Sequence, residues 1–152
     1  MIWDFIASIE PFFQILLAAI LGSFIGLERE FRHKEAGLRT YTMVCLGSTV
    51  FTLIGFESVR AFSPTISYDP SRIIGQIVLG VGFLGAGVII FRKDHIEGLT
   101  TAAGLWVTAA IGSAIGLQLY SLALFTAFLV VTVLAGLRLI EERLFKSKRL
   151  ED

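Results

Sequence analysis

The chain has little of what most chemistry needs. One cysteine, Cys45, and two histidines occur in 152 residues. A disulfide among these residues is impossible and a cysteine-rich metal site is excluded. Cys45 sits inside an apolar run and reads as a small packing residue. No lysine or arginine precedes the first apolar run, so a secretory signal lacks its basic n-region and that run is expected to stay as structure. Nucleophile, triad and phosphate-loop patterns are missing, and so are low-complexity tracts. Without an internal repeat, an inverted-repeat transporter frame is unsupported within one chain. No feature points to nucleic acid.

What is present is apolar sequence, 55% of the chain. A helix crossing a hydrocarbon core about 30 Å thick needs roughly 20 apolar residues. Five runs meet or approach that length, at about 9–27, 40–56, 73–91, 99–117 and 119–140. The expected fold is an all-α, polytopic bundle of five transmembrane helices forming a single domain over 1–152. The lipid bilayer is its first partner. Spans four and five are joined by almost nothing and predict a tight antiparallel hairpin. Pro64 and Pro70 mark the sizeable loop 57–72.

The formal net charge is zero, but the charges are segregated. Eleven lysines and arginines follow spans one, three and five, and only Arg60 and Arg72 fall on the other side. The positive-inside rule then puts the N-terminus outside and the C-terminus in the cytoplasm. An odd number of spans agrees. The tail from Glu141 reads as a solvated helical continuation of span five, its basic residues near headgroups.

Small residues recur at helical spacing. Ala18, Gly22 and Gly26 share a face of span one, and Thr100, Gly104, Thr108, Gly112 and Gly116 form an i, i+4 line in span four. Lipid gives helices no hydrophobic drive to associate, so close backbone approach must hold them together, and glycine permits it. Spans one and four are therefore expected at the centre, with Trp106 in the packing. Span five, with Phe125 and Phe128, reads as lipid-facing or as an oligomer contact. In span three, Gly80-x-Gly82-x-x-Gly85 matches a dinucleotide fingerprint only as text, because the motif needs a strand before it and a βαβ unit around it. With Gly87 added, four glycines in eight residues predict a helix break, with Gln76 a turn before it as a bridging or pathway-lining residue.

Polar residues gather at the cytoplasmic ends. Glu28 and Arg29 close span one, Arg39 and Thr40 open span two, and Thr100 and Thr101 open span four. Two helix N-termini there carry free N–H groups suited to an anion, with Arg39-Thr40 and Gly98–Thr101 as caps. A Glu28–Arg39 salt bridge closing the pocket without a ligand is the preferred alternative. Asp94, His95 and Glu97 are compact enough to suggest a divalent cation, yet such a loop is more often solvated; no metal site and no cofactor are expected.

Four ordered stretches are recognisable: Gly26-Leu-Glu28-Arg29-Glu30, Ala36-Gly37-Leu38-Arg39-Thr40, Gln76 through Gly80–Ile89, and Gly98-Leu-Thr100-Thr101 through Trp106. Over roughly residues 15–117 the chain resembles the MgtC/SapB family. The resemblance implies a bacterial inner-membrane protein, not an enzyme, linked to growth at low magnesium and to stress adaptation by modulating other membrane proteins. A homodimer and a partner inner-membrane protein are expected, with a small ion or solute transporter or channel acting as a homo-oligomer as the rival. Virulence-type members carry a cytoplasmic C-terminal domain, and some have asparagine where Thr100 stands. This sequence reads as the membrane domain alone.

Overall fold

A computed structural model describes residues 2–62, 69 and 71–146, with side chains described over 9–59, 69 and 71–137. The turn signals at Ser63-Pro64 and Pro70 and the tail beyond Lys146 lie outside the described residues. Five helices follow in order: α1 (Ile2–Phe31), α2 (Leu38–Phe62), α3 (Ser71–Gly87), α4 (Leu99–Gly116) and α5 (Tyr120–Lys146). Between α3 and α4 lies a two-residue hairpin, β1 (Ile90–Phe91) against β2 (Ile96–Glu97), in antiparallel register Ile90↔Glu97. Among the described residues four helices are long and apolar enough to cross a membrane: α1, α2, α4 and α5.

The chain is thus an all-helical polytopic bundle, and α3 departs from the reading. Instead of 73–91 it covers 17 residues, a rise of about 26 Å at 1.5 Å per residue. The expected break among Gly80, Gly82, Gly85 and Gly87 is absent: the helix runs through the first three and ends at Gly87. There Val88 and Ile89 donate to the carbonyls of Gly85 and Ala86, a tightened last turn, and the chain turns into β1. Gly98 then takes φ +86° where a side chain would strike the Val88 carbonyl, so glycine starts α4 without a side-chain cap. Neither Thr100 nor Thr101 caps it, contrary to expectation.

The two small-residue lines do form the centre, through an intermediary. Helix α2 stands between α1 and α4 and packs extensively on both. A Cβ added to Gly22 would sit 2.8 Å from Cys45 Cβ, and one on Gly26 2.8 Å from Leu38 Cα. From the other side, a Cβ on Gly112 would enter the Cys45 carbonyl, and one on Gly116 would lie 2.6 Å from Thr52 Cβ. Thr100 falls outside the contact and is exposed, whereas Thr108 is buried. Of the α4 span 61% is buried, against 11% of the α5 span, so α4 is core and α5 turns most of its surface outward. Trp106, expected in the packing, is half-exposed and lines a 240 Å³ crevice shared with α3 and Leu119–Leu122.

Close approach brings polar groups together, and each bonds across the interface. Thr49 Oγ1 donates to the Gly112 carbonyl at 2.8 Å, joining α2 to α4. Thr42 Oγ1 donates to Leu38 O, which leaves Ser23 Oγ to donate to Thr42 Oγ1 at 2.9 Å. The end of α4 folds back through Gln118 at φ +62°, with Gln118 N bonded to Ile115 O and Leu119 N to Ala114 O, the two bonds of a Schellman turn. Gln14 Nε2, fully buried in α1, donates to Ile115 O at 2.7 Å. Carbonyls that water would satisfy elsewhere find partners inside the protein, as a bilayer requires.

Gly112→Leu is expected to cost about 1–3 kcal/mol or more by overpacking, seen as a lower melting temperature in detergent. Phe125→Leu, on an exposed site, is expected to be mild. A second test concerns Gln14→Leu, which leaves the Ile115 carbonyl to the Gln118 amide alone and takes the Gln14 amide from the Gly116 carbonyl; it is expected to cost about 1–3 kcal/mol by the same measurement.

Candidate functional site

The polar cluster forms where α1 ends and α2 and α4 begin. Helix α1 closes through His33 at φ +50°, with Lys34 N bonded to Arg29 O. The short link that follows brings α2 back beside α1. Glu30 accepts the Leu38 N–H at 3.0 Å, so a carboxylate of this chain already serves the N-terminus of α2. Gly37 leaves room for this bond, because a Cβ there would displace the Glu30 carboxylate. Arg39-Thr40 is therefore not the cap: both side chains are exposed.

Arg29 is the buried cation. Its side chain is 4% exposed and pairs with Glu28, which also lies 3.6 Å from Arg32 Nε. The expected Glu28–Arg39 bridge does not form. Successive residues on a helix usually point apart, which is why sequence spacing favoured a partner on the next helix. Burial of Arg29 under the start of α2 instead forces its guanidinium onto the nearest carboxylate. Glu28 Oε1 is buried and accepts no hydrogen bond among the described residues.

Two further residues complete the cluster. Tyr41, fully buried, fills the space left by Gly26 and Gly104 and donates from its hydroxyl to the Thr101 carbonyl at 3.1 Å. Thr101 Oγ1 donates to Glu35 Oε2 at 2.6 Å. That hydroxyl holds the Glu35 carboxyl below its ordinary value of 4.5. The lowered value means the clasp is at full strength above the ordinary carboxylate range and is lost as pH falls through the shifted one. The network thus ties the end of α1, the α1–α2 link, α2 and α4 into one unit. Glu28, Arg29 and Thr101 belong to it, whereas Arg39, Thr40 and Thr100 stand outside. Sequence reading missed Gln14, Glu35 and Tyr41; the visible signal was a lone polar group beside or within an apolar run.

The α3 residues form no part of this unit. Gln76 is exposed and lines a groove toward α2, and Gly80, Gly82 and Gly87 face open space. A Cβ on Gly85 would lie 3.5 Å from Ala102 Cβ, an ordinary contact. In the hairpin, Glu97 accepts from Arg92 Nε at 3.0 Å and pairs with His95 Nε2 at 2.9 Å, contacts that hold its carboxyl below the usual range. Among the described residues no three His, Cys, Asp or Glu side chains converge as a metal-binding group.

Chemically the cluster is a neutralised clasp. Breaking a buried ion pair from one side costs about 3–5 kcal/mol. Glu28→Gln and Arg29→Gln are each expected to destabilise strongly, and the double variant less than their sum. Glu28→Gln with Arg39→Gln is expected to be additive. Thermal melts of all five variants in detergent decide it.

Residues 15–143 match the MgtC family. YhiD of Escherichia coli K12, which carries the provisional name of a magnesium transporter, is 45% identical over 128 residues, covering 82% of this chain and 59% of the relative. Protein MgtC of Brucella abortus is 44% identical over 123 residues, 80% of this chain and 48% of that protein. Protein SrpB of Synechococcus elongatus is 37% identical over 134 residues, 83% and 74% respectively. No solved structure matches. The chain spans about half to three-fifths of the length of YhiD and Brucella MgtC, and the shared part is the helical bundle. It is a multi-pass membrane protein, and it belongs to the MgtC family.

Proposed function

We propose that this chain is a non-enzymatic regulator in the bacterial inner membrane, tied to magnesium homeostasis and stress adaptation. In this reading it acts by helix contacts with another inner-membrane protein and as a homodimer, needs no cofactor and binds no nucleic acid. The N-terminus lies outside and the C-terminus in the cytoplasm, on the strength of the charge asymmetry. The observation that carries the reading is the state of the interior. The centre is filled by backbone contact at Gly22, Gly112 and Gly116. The buried ions Glu28 and Arg29 neutralise each other, and the groove beside α3 is mostly apolar. Mg²⁺ gives up water reluctantly and demands near-octahedral oxygen ligands, a poor match to such an interior. The partner contact falls to the outward faces, among them α5 with Phe125, Phe128 and Leu129 exposed.

The rival, a small ion or solute transporter, draws on Gln76 beside its groove and on the unbonded Glu28 Oε1. The provisional name of YhiD supports a link to magnesium. Purified protein in liposomes is expected to show no Mg²⁺ flux, while crosslinking in cells captures another membrane protein. Saturable uptake lost in Gln76→Leu or Glu28→Gln would establish the transporter instead. Reporter fusions after Ser147 are expected to be active only in the cytoplasm, and a periplasmic reporter there would reverse the topology.

A further inference from the structure

Helices α2 and α3 diverge and leave a groove of about 650 Å³ between them. It runs from Thr40 and Leu84 at one end to Ile54 and Ile73 at the other. Two glycines create it: Gly47 and Gly80 line it, and a Cβ on either meets nothing within 4 Å. The lining is apolar save for Thr40, Ser48 and Gln76. A water-filled slot of this kind is unfavourable in a bilayer, so the groove has an occupant.

Its size and its charge select the occupant. From Thr40 to Ile54 the groove follows α2 for about 21 Å, and a helix of that length and about 10–12 Å across fills roughly 1,600–2,400 Å³. The whole open space of the groove, about 1,270 Å³, is smaller than that, so a transmembrane helix would leave part of its girth outside. A single hydrocarbon chain is narrow enough to enter. One leaflet of a hydrocarbon core is about 15 Å deep, so a chain entering at Thr40 ends beyond Gly47, within the groove. At that mouth stands Arg39, exposed on the same outward side of α2 as Met43 and with no ion pair or hydrogen bond among the described residues. Of the first N–H groups of α2, Glu30 holds the Leu38 amide and Gly37 O the Tyr41 amide. An unpaired guanidinium above an apolar slot is complementary to a phosphate whose glycerol carries acyl chains.

We propose that the α2–α3 groove holds one anionic phospholipid from the leaflet on the Arg39 side, its phosphate on Arg39 and an acyl chain along Gly47 and Gly80. The occupant is independent of what the protein regulates. The test uses the whole chain reconstituted in vesicles of phosphatidylglycerol and phosphatidylethanolamine, extracted in mild detergent, with retained lipid read by native mass spectrometry. One phosphatidylglycerol per chain is expected, enriched over its share in the vesicle. Arg39→Gln is expected to lower that preference about fivefold, the change that about 1 kcal/mol per basic residue at an anionic surface corresponds to. Gly47→Leu with Gly80→Leu fills the groove from positions that meet no neighbour; it is expected to abolish retention with melting temperature and oligomeric state unchanged. The proposal is overturned if the parent retains no lipid, if the filled variant retains as much, or if headgroup preference survives Arg39→Gln. It is likewise overturned if filling the groove separates a dimer into monomers, which would make the slot a contact between copies.

Discussion

Everything in this bundle depends on how closely α2 approaches its two neighbours. In lipid, apolar side chains gain nothing by leaving solvent for protein, so helices associate through van der Waals contact and cross-helix hydrogen bonds. Both fall off within ångströms. Gly22 and Gly26 on α1, and Gly104, Gly112 and Gly116 on α4, remove the side chains that would hold α2 away. Cys45 lies at the meeting point, with its Cβ toward Gly22 and its carbonyl toward Gly112. A small residue is required there, which accounts for a lone thiol without any chemistry for it.

The polar contacts follow from the same approach. Thr49 reaches the Gly112 carbonyl and Tyr41 reaches the Thr101 carbonyl only because the helices are this near. At the charged end Arg29 engages Glu28, Glu30 the α2 amide and Glu35 Thr101, while Glu28 Oε1 is left without a hydrogen bond among the described residues. Paired in this way, the cluster joins α1, α2 and α4. Surfaces away from the clamp are different. Helices α3 and α5 expose large apolar side chains such as Phe83 and Phe128, faces left over for contact outside the bundle.

Much of the fold was legible because apolar run length is a strong signal. The runs at 9–27, 40–56, 99–117 and 119–140 match α1, α2, α4 and α5 to within several residues at their ends. Glycine spacing located both packing faces, since a line of small residues has a direction on a helix. It did not say that α2 was the common partner, because Cys45, Ser48 and Thr52 on α2 carry side chains and look unremarkable in one sequence. Span three was read too long. Hydropathy does not separate Ile89–Phe91 in a hairpin from the same residues in a helix, and the end at Gly87 is set by backbone bonds. At the site, Glu28, Arg29 and Thr101 were found, but Arg39 was given the role that Arg29 fills. Burial of a side chain one position along depends on the packing of α2, which spacing does not encode. Gln14 was missed because its partner carbonyl lies 101 residues away.

This packing requires α2 to be held by both neighbours at the level of Cys45. A through-space carbon correlation spectrum of the labelled protein in lipid bilayers reads this directly. Short-range cross-peaks are predicted from Gly22 Cα to Cys45 Cβ and from Gly112 Cα to Ser48 Cβ in the same sample. Absence of either peak in a folded, well-resolved sample would contradict the arrangement.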